Sequence, residues 1–156
     1  MAAVKSILVP VDFSACSRAA VEHALFFAER FGAKVHLLYA WDIPGYLRPD
    51  LTVWTGDVTA SLADHARREA EQSMQKFMTE CGLVGRANVT SEVISGTPHA
   101  TIVEAAEQLP FDLIVMGTHG RTGLSHLLLG SVAEGVVRHA KCPVMTVPRP
   151  KEPPKG

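Results

Sequence analysis

The stretch with the most chemical potential runs from Met116 to Ser131 and reads M-G-T-H-G-R-T-G-L-S-H-L-L-L-G-S. Gly117, Gly120 and Gly130 matter most in it, with the hydroxyl of Ser131 directly after the last. Glycine has no Cβ, so a loop built on it can bring backbone N–H groups close to an anion. The apolar run Asp112-Leu113-Ile114-Val115-Met116 precedes the stretch and reads as a buried strand. After it, Val132, Val136, Val137 and Ala140 recur at helical spacing. A strand, a glycine loop and a helix start are therefore expected in sequence. The helix start adds unpaired N–H groups and the positive end of a dipole. Together these make a phosphate site.

The spacing is not that of a P-loop, which needs a Gly-Lys pair; no such pair occurs in the chain. The dinucleotide fingerprint G-x-G-x-x-G is absent as well. What the chain carries is G-x-x-G, nine residues, then G-S.

The elements that must hold this loop follow from the rest of the chain. Ser6 to Val11 is a short β-branched run and reads as a first strand, with Pro10 near its end. Asp12-Phe13-Ser14 is a turn, and Ser14 or Ser17 suits the cap of the next helix. Ala20, Ala24, Phe27, Ala28 and Phe31 share that helix's apolar face, and Gly32 suits its C-cap. Lys34 to Ala40 reads as the second strand. Trp41 to Asp57, with two prolines and two glycines, reads as a long loop. Its aromatic content marks it as a candidate functional loop. Val58 to Gly82 reads as a helix with Leu62, Ala66, Ala70, Met74, Phe77, Met78 and Cys81 on its apolar stripe. Asn88 to Ile94 alternates like a partly exposed edge strand. Thr97 and Pro98 suit the start of a helix whose buried side is Ile102, Val103, Ala106 and Leu109. Cys142 to Val147 is a last strand. This alternation predicts an α/β fold with a parallel sheet. Residues 1–148 are read as one domain and 149–156 as a disordered tail.

With that context, the G-x-x-G…G-S pattern resembles the ATP-binding motif of the universal stress protein family. The resemblance covers Lys5 to Val147. It implies an open, Rossmann-like five-stranded parallel sheet of order 3-2-1-4-5 with helices on both faces. The order reverses between the first and fourth strands, where ligands of open sheets sit. The resemblance also implies the nucleotide-binding residues. Gly117, Gly120, Gly130 and Ser131 are the motif positions, with Met116 before them and Val132 as a further backbone donor. Pro10 and Asp12 flank the end of the first strand, Asp12 toward the adenosine end, and Ala40 sits where backbone meets adenine. Arg121 is close enough in sequence to meet a phosphate, although it also reads as solvated surface.

Other readings stand beside these. Asp12 suits a turn or cap, Gly117 and Gly120 suit a tight turn, and Ser131 suits an N-cap. His119 and His126 lie seven apart with no third metal ligand in view. No catalytic base or second carboxylate stands out, so no dedicated enzyme is expected.

Composition fits this picture. The chain has 156 residues, 47% of them hydrophobic and 20% charged, with a net charge of −1. That favours one globular domain and argues against nucleic acid or an anionic membrane as partner. No apolar run approaches a membrane span, and the N-terminus has no signal-peptide pattern. Three widely spaced cysteines suggest reduced thiols in a cytoplasmic protein. The resemblance implies an ATP-binding stress-response regulator with Mg²⁺ held by the nucleotide phosphates. It also implies a homodimer formed through the final strand, Val144, Met145, Thr146 and Val147, an apolar sheet edge in the implied order. A slow ATP hydrolase or nucleotidyl transferase on the same scaffold, and an interaction module that binds no nucleotide, are the alternatives.

Overall fold

A computed structural model describes residues 3–54, 56, 59–120 and 129–151. The sheet strands are β1 (Ser6–Pro10), β2 (Lys34–Trp41), β5 (Val89–Ser95), β6 (Leu113–Gly117) and β7 (Val144–Val147). The helices are α1 (Ala15–Phe31), α2 (Leu62–Glu80), α3 (Pro98–Gln108) and α4 (Ser131–His139). A separate antiparallel hairpin joins β3 (Thr52–Trp54) to β4 (Thr59–Ser61).

The five-stranded sheet has the order β5-β2-β1-β6-β7, and every pairing in it is parallel. Counting sheet strands alone, this is the 3-2-1-4-5 order that the resemblance implied. The labels differ because the hairpin falls between the second and third strands of the sheet. Both faces of the sheet are covered, and its middle strands β1 and β6 are apolar almost throughout. Ile7, Val9, Val35, Leu37 and Val115 pack with Ala20 and Ala24 of α1 and Met74 and Phe77 of α2. Leu8, Leu38, Ile114 and Met116 point the other way, onto Ile102 of α3 and Ala133 and Val136 of α4.

Local chemistry sets the helix ends. Ser14 caps α1 by accepting the Ser17 N–H, and Gly32 ends it in the left-handed region at φ 67°. Pro98 opens α3 at its first turn, but the side chain of Thr97 makes no capping hydrogen bond.

Several expectations need correction. The segment after β2 is not a plain loop: part of it forms β3, and the expected helix from Val58 gives up Thr59–Ser61 to β4. Ser61 then caps α2 by accepting the Asp64 N–H, which is why the helix starts later. Phe31 is 56% exposed and Leu109 53%, because each lies in the last turn or cap of its helix, beyond the sheet. Val137 also faces outward, one position past the buried Val136.

Candidate nucleotide site

β1 pairs with β2 on one side and with β6 on the other. Successive connections therefore leave in opposite directions at the carboxyl ends of β1 and β6, which opens a crevice there. A cleft of about 340 Å³ occupies this point. Pockets for small ligands commonly run from roughly 300 to 1,000 Å³.

Of the ten residues expected to bind nucleotide, Pro10, Asp12, Ala40, Met116 and Gly117 line this cleft, and so do Gly120, Gly130, Ser131 and Val132. Arg121 lies outside the described residues, as does His126. The strands bring the set together: Pro10 and Asp12 end β1, Ala40 is near the end of β2, and Met116 and Gly117 end β6.

None of the three motif glycines holds a positive φ. Each is needed for close approach instead. A Cβ on Gly117 would lie 2.6 Å from Cβ of Cys16 and 3.1 Å from its carbonyl carbon, in the first turn of α1. On Gly120 it would lie 2.6 Å from Oδ2 of Asp12. On Gly130 it would lie 3.1 Å from the Thr118 carbonyl oxygen and 3.5 Å from Cα of His119.

Gly130, not Ser131, is the N-cap of α4, and Ser131 is its first helical residue. The Gly130 N–H donates to the Thr118 carbonyl at 2.7 Å, so it ties the loop to the helix and is engaged within the protein. A glycine cap has no side chain to satisfy the N–H groups that follow. Among the described residues, no side-chain capping bond to α4 is present. Among the described residues, the N–H groups of Ser131, Val132 and Ala133 are thus the helix's open donors, and all three residues line the cleft.

The opposite wall is built from α3 and β2. Pro98 and Ile102 of α3 and Leu38 of β2 give it an apolar surface. α3 can sit this close to α4 because Gly135 has no side chain: a Cβ there would come within 2.9 Å of the His99 side chain. The sequence marks Pro98 as a helix start and Ile102 as a buried helix face, and a packing residue at the rim of a cleft carries no separate signal. Ser17 and His119 also line the cleft. Nδ1 of His119 is 3.0 Å from Thr118 Oγ1, while Nε2 is buried with no hydrogen-bond partner among the described residues. A glycine-flanked histidine is visible in the sequence, but its burial is not. Among the described residues, none from 41–56 lines the cleft. Trp41 faces a separate groove beside α2 with Asp42 and Glu69, and Trp54 is 77% exposed.

Ionisable groups away from the cleft have structural roles. Asp112 Oδ2 accepts the Lys5 and Ser6 N–H groups at 2.8 and 3.0 Å, pinning the start of β1 to β6. These bonds, that from Lys5 first, lower its pKa below the ordinary carboxylate value. Burial raises the thiols of Cys81 and Cys142, which disfavours the reactive thiolate. No helix among the described residues is long and apolar enough to cross a membrane.

Comparison with known proteins agrees with this architecture. The model of the universal stress protein family matches residues 3–148. Universal stress protein MJ0531 of Methanocaldococcus jannaschii is 38% identical over 95% of this chain and 84% of its own. Universal stress protein G of Escherichia coli O157:H7 is 33% identical over 92% of this chain and 98% of its own. The solved structure of MJ0577 superposes with a TM-score of 0.75 at 30% identity, covering 97% of this chain and all of that one. A universal stress protein in complex with cAMP (24% identical, TM-score 0.68) covers 96% of this chain and all of that one. One from Archaeoglobus fulgidus in complex with dAMP (21%, TM-score 0.64) covers 94% and 99%. Both share the fold. With a family match spanning almost its whole length, this chain belongs to the universal stress protein family.

Proposed function

We propose that the protein is a regulatory, ATP-binding member of the family that works as a homodimer of a single domain, residues 1–148. The observation that carries the reading is the convergence at the β1–β6 crevice. Nine of the ten expected residues line one cleft, into which α4 directs a helix start whose N-cap is a glycine, Gly130. A cavity shaped by close-approach glycines and faced by open N–H groups suits an anion. Its apolar wall of Leu38, Ile102 and Pro98 suits a flat base. That two proteins of this fold were solved with cAMP and dAMP supports an adenine nucleotide as the ligand class.

In this reading Ser131, Val132 and Ala133 offer backbone N–H groups to the phosphates, and Ser131 adds its hydroxyl. Gly117 and Gly120 keep the approach open, and Asp12 faces the adenosine end. Ala40 meets the base through its backbone. Bound ATP would supply the phosphate charge that Mg²⁺ neutralises, with the ion held largely by phosphate oxygens. Isothermal titration with ATP and Mg²⁺ tests the assignment. Saturable one-site binding, weakened by Ser131→Ala, is expected. The absence of measurable binding would leave an interaction module that takes no nucleotide.

A further inference from the structure

The sequence pattern suits Ser17 to a helix cap, yet its hydroxyl is committed to Asp12. Ser14 is the N-cap of α1, so Ser17 is its third helical residue. That position often holds a side chain that reaches back to the N-cap N–H. Here the serine reaches back two residues further. Its Oγ accepts the Asp12 N–H at 2.9 Å and donates to Asp12 Oδ1 at 2.5 Å. The Ser14 N–H gives Oδ1 a second bond at 3.0 Å. Oδ1 is thus gripped from the helix side. Oδ2 is turned toward Gly120, within 2.6 Å of where a Cβ would stand on that glycine.

The residue between strand and helix enforces this turn. Phe13 has φ 67°, the one non-glycine residue with positive φ among those described. A bulky residue in the left-handed region is held there by its surroundings. Its ring packs against Tyr39 at 4.5 Å and Phe77 at 5.4 Å between centroids. Ser17 itself is 4% exposed and lines the cleft beside Asp12. A buried hydroxyl needs hydrogen-bond partners, and a serine could be present for packing and capping alone. Its two shortest bonds, however, both go to Asp12.

We propose that Ser17 is a positioning residue for the nucleotide site: its paired bonds to Asp12 set the orientation in which that carboxylate meets the ligand. The inference rests on the nucleotide reading above. A double-mutant cycle on ATP affinity, with Mg²⁺ present, tests it in the full chain. The variants are Ser17→Ala, Asp12→Ala and the two combined. If Ser17 acts through Asp12, Ser17→Ala weakens binding about tenfold, while in the Asp12→Ala background it changes affinity by less than about twofold. Ser17→Thr, which keeps the hydroxyl, restores most of the loss. A merely structural serine would lower the melting temperature of the ligand-free protein without this coupling. Wild-type affinity in Ser17→Ala, or losses that multiply in the double variant, would overturn the proposal. Should Ser17→Ala fail to fold, Ser17→Cys, near in volume and weak as a hydrogen-bond partner, takes its place in the cycle. A wild type that binds no ATP would instead remove the nucleotide reading and this inference with it.

Discussion

Gly120 and Asp12 meet across the crevice so closely that a Cβ on the glycine would stand 2.6 Å from the carboxylate oxygen Oδ2. The loops after β1 and β6 therefore touch where the sheet order reverses. A carboxylate end can often swing away from an intruding methyl, but Ser17 and Ser14 hold this one by Oδ1. Gly120→Ala should consequently displace Asp12 or lift the loop, and either distorts the cleft. ATP affinity should fall about tenfold or more, and the ligand-free protein should lose about 1 kcal/mol, at the low end for overpacking. Calorimetric titration and urea unfolding of the variant measure the two effects.

Gly130 works differently. Its φ is −62°, so a side chain meets no left-handed strain there. The obstacle is the Thr118 carbonyl oxygen 3.1 Å from the Cβ position. Gly130→Val should push residues 118–120 away from the start of α4, stretch the 2.7 Å bond between them and end nucleotide binding. Ser131→Ala, which removes one hydroxyl and leaves the backbone donors, should weaken binding by about 0.5–1.5 kcal/mol without ending it. Titrating both variants checks the order: total loss for the first, partial loss for the second.

Much of this candidate site was legible in the sequence because its residues sit where a strand ends or a helix begins, and both are marked by apolar runs. The spacing of Gly117, Gly120, Gly130 and Ser131 between a strand and a helix marks them out, and the resemblance implies both their place in a nucleotide motif and the sheet order. What the spacing could not convey is why the glycines are needed. A conformational demand and a steric one leave the same letter in the sequence, and here it is the steric one, set by Cys16, Asp12 and Thr118 from elsewhere in the chain. The hairpin was missed because its strands, Thr52–Trp54 and Thr59–Ser61, are three residues each, too short to show a period. The apolar cleft wall, Pro98 and Ile102, was hidden for another reason: residues facing a cleft and residues facing a core share one helical stripe.

Asp112 gives a pH dependence with a definite sign. The Lys5 and Ser6 N–H groups hold its folded pKa below the ordinary carboxylate value. A depressed carboxylate stabilises the fold above its unfolded pKa, and that stability is lost as pH falls through the folded value. The stability difference between wild type and Asp112→Asn should stay constant from neutral pH down toward 5 and shrink below 3.8. Urea midpoints for the pair across this range measure it. A gap that widens in acid would contradict the assignment.

β7 is an edge strand, with β6 as its one partner among the described residues. Val144 and Met145 are half-buried there, which leaves apolar surface beside open backbone groups. Such an edge tends to be paired or covered. Pairing with a second copy across a two-fold axis would close it. Sedimentation equilibrium at micromolar concentration should give twice the chain mass of 16.8 kDa. Replacing Met145 with lysine should shift the equilibrium toward monomer, and a wild type that sediments as a monomer would contradict the dimer.

The most direct test of the nucleotide site is thermal unfolding of the wild-type protein with and without saturating ATP and Mg²⁺. A ligand that binds only the folded state stabilises it by about 2.7 kcal/mol at one hundred times its dissociation constant. The cleft at the β1–β6 crevice predicts a clear rise in melting temperature with ATP and a smaller one with AMP at equal concentration. An unchanged melting temperature at millimolar ATP and Mg²⁺ would contradict the site.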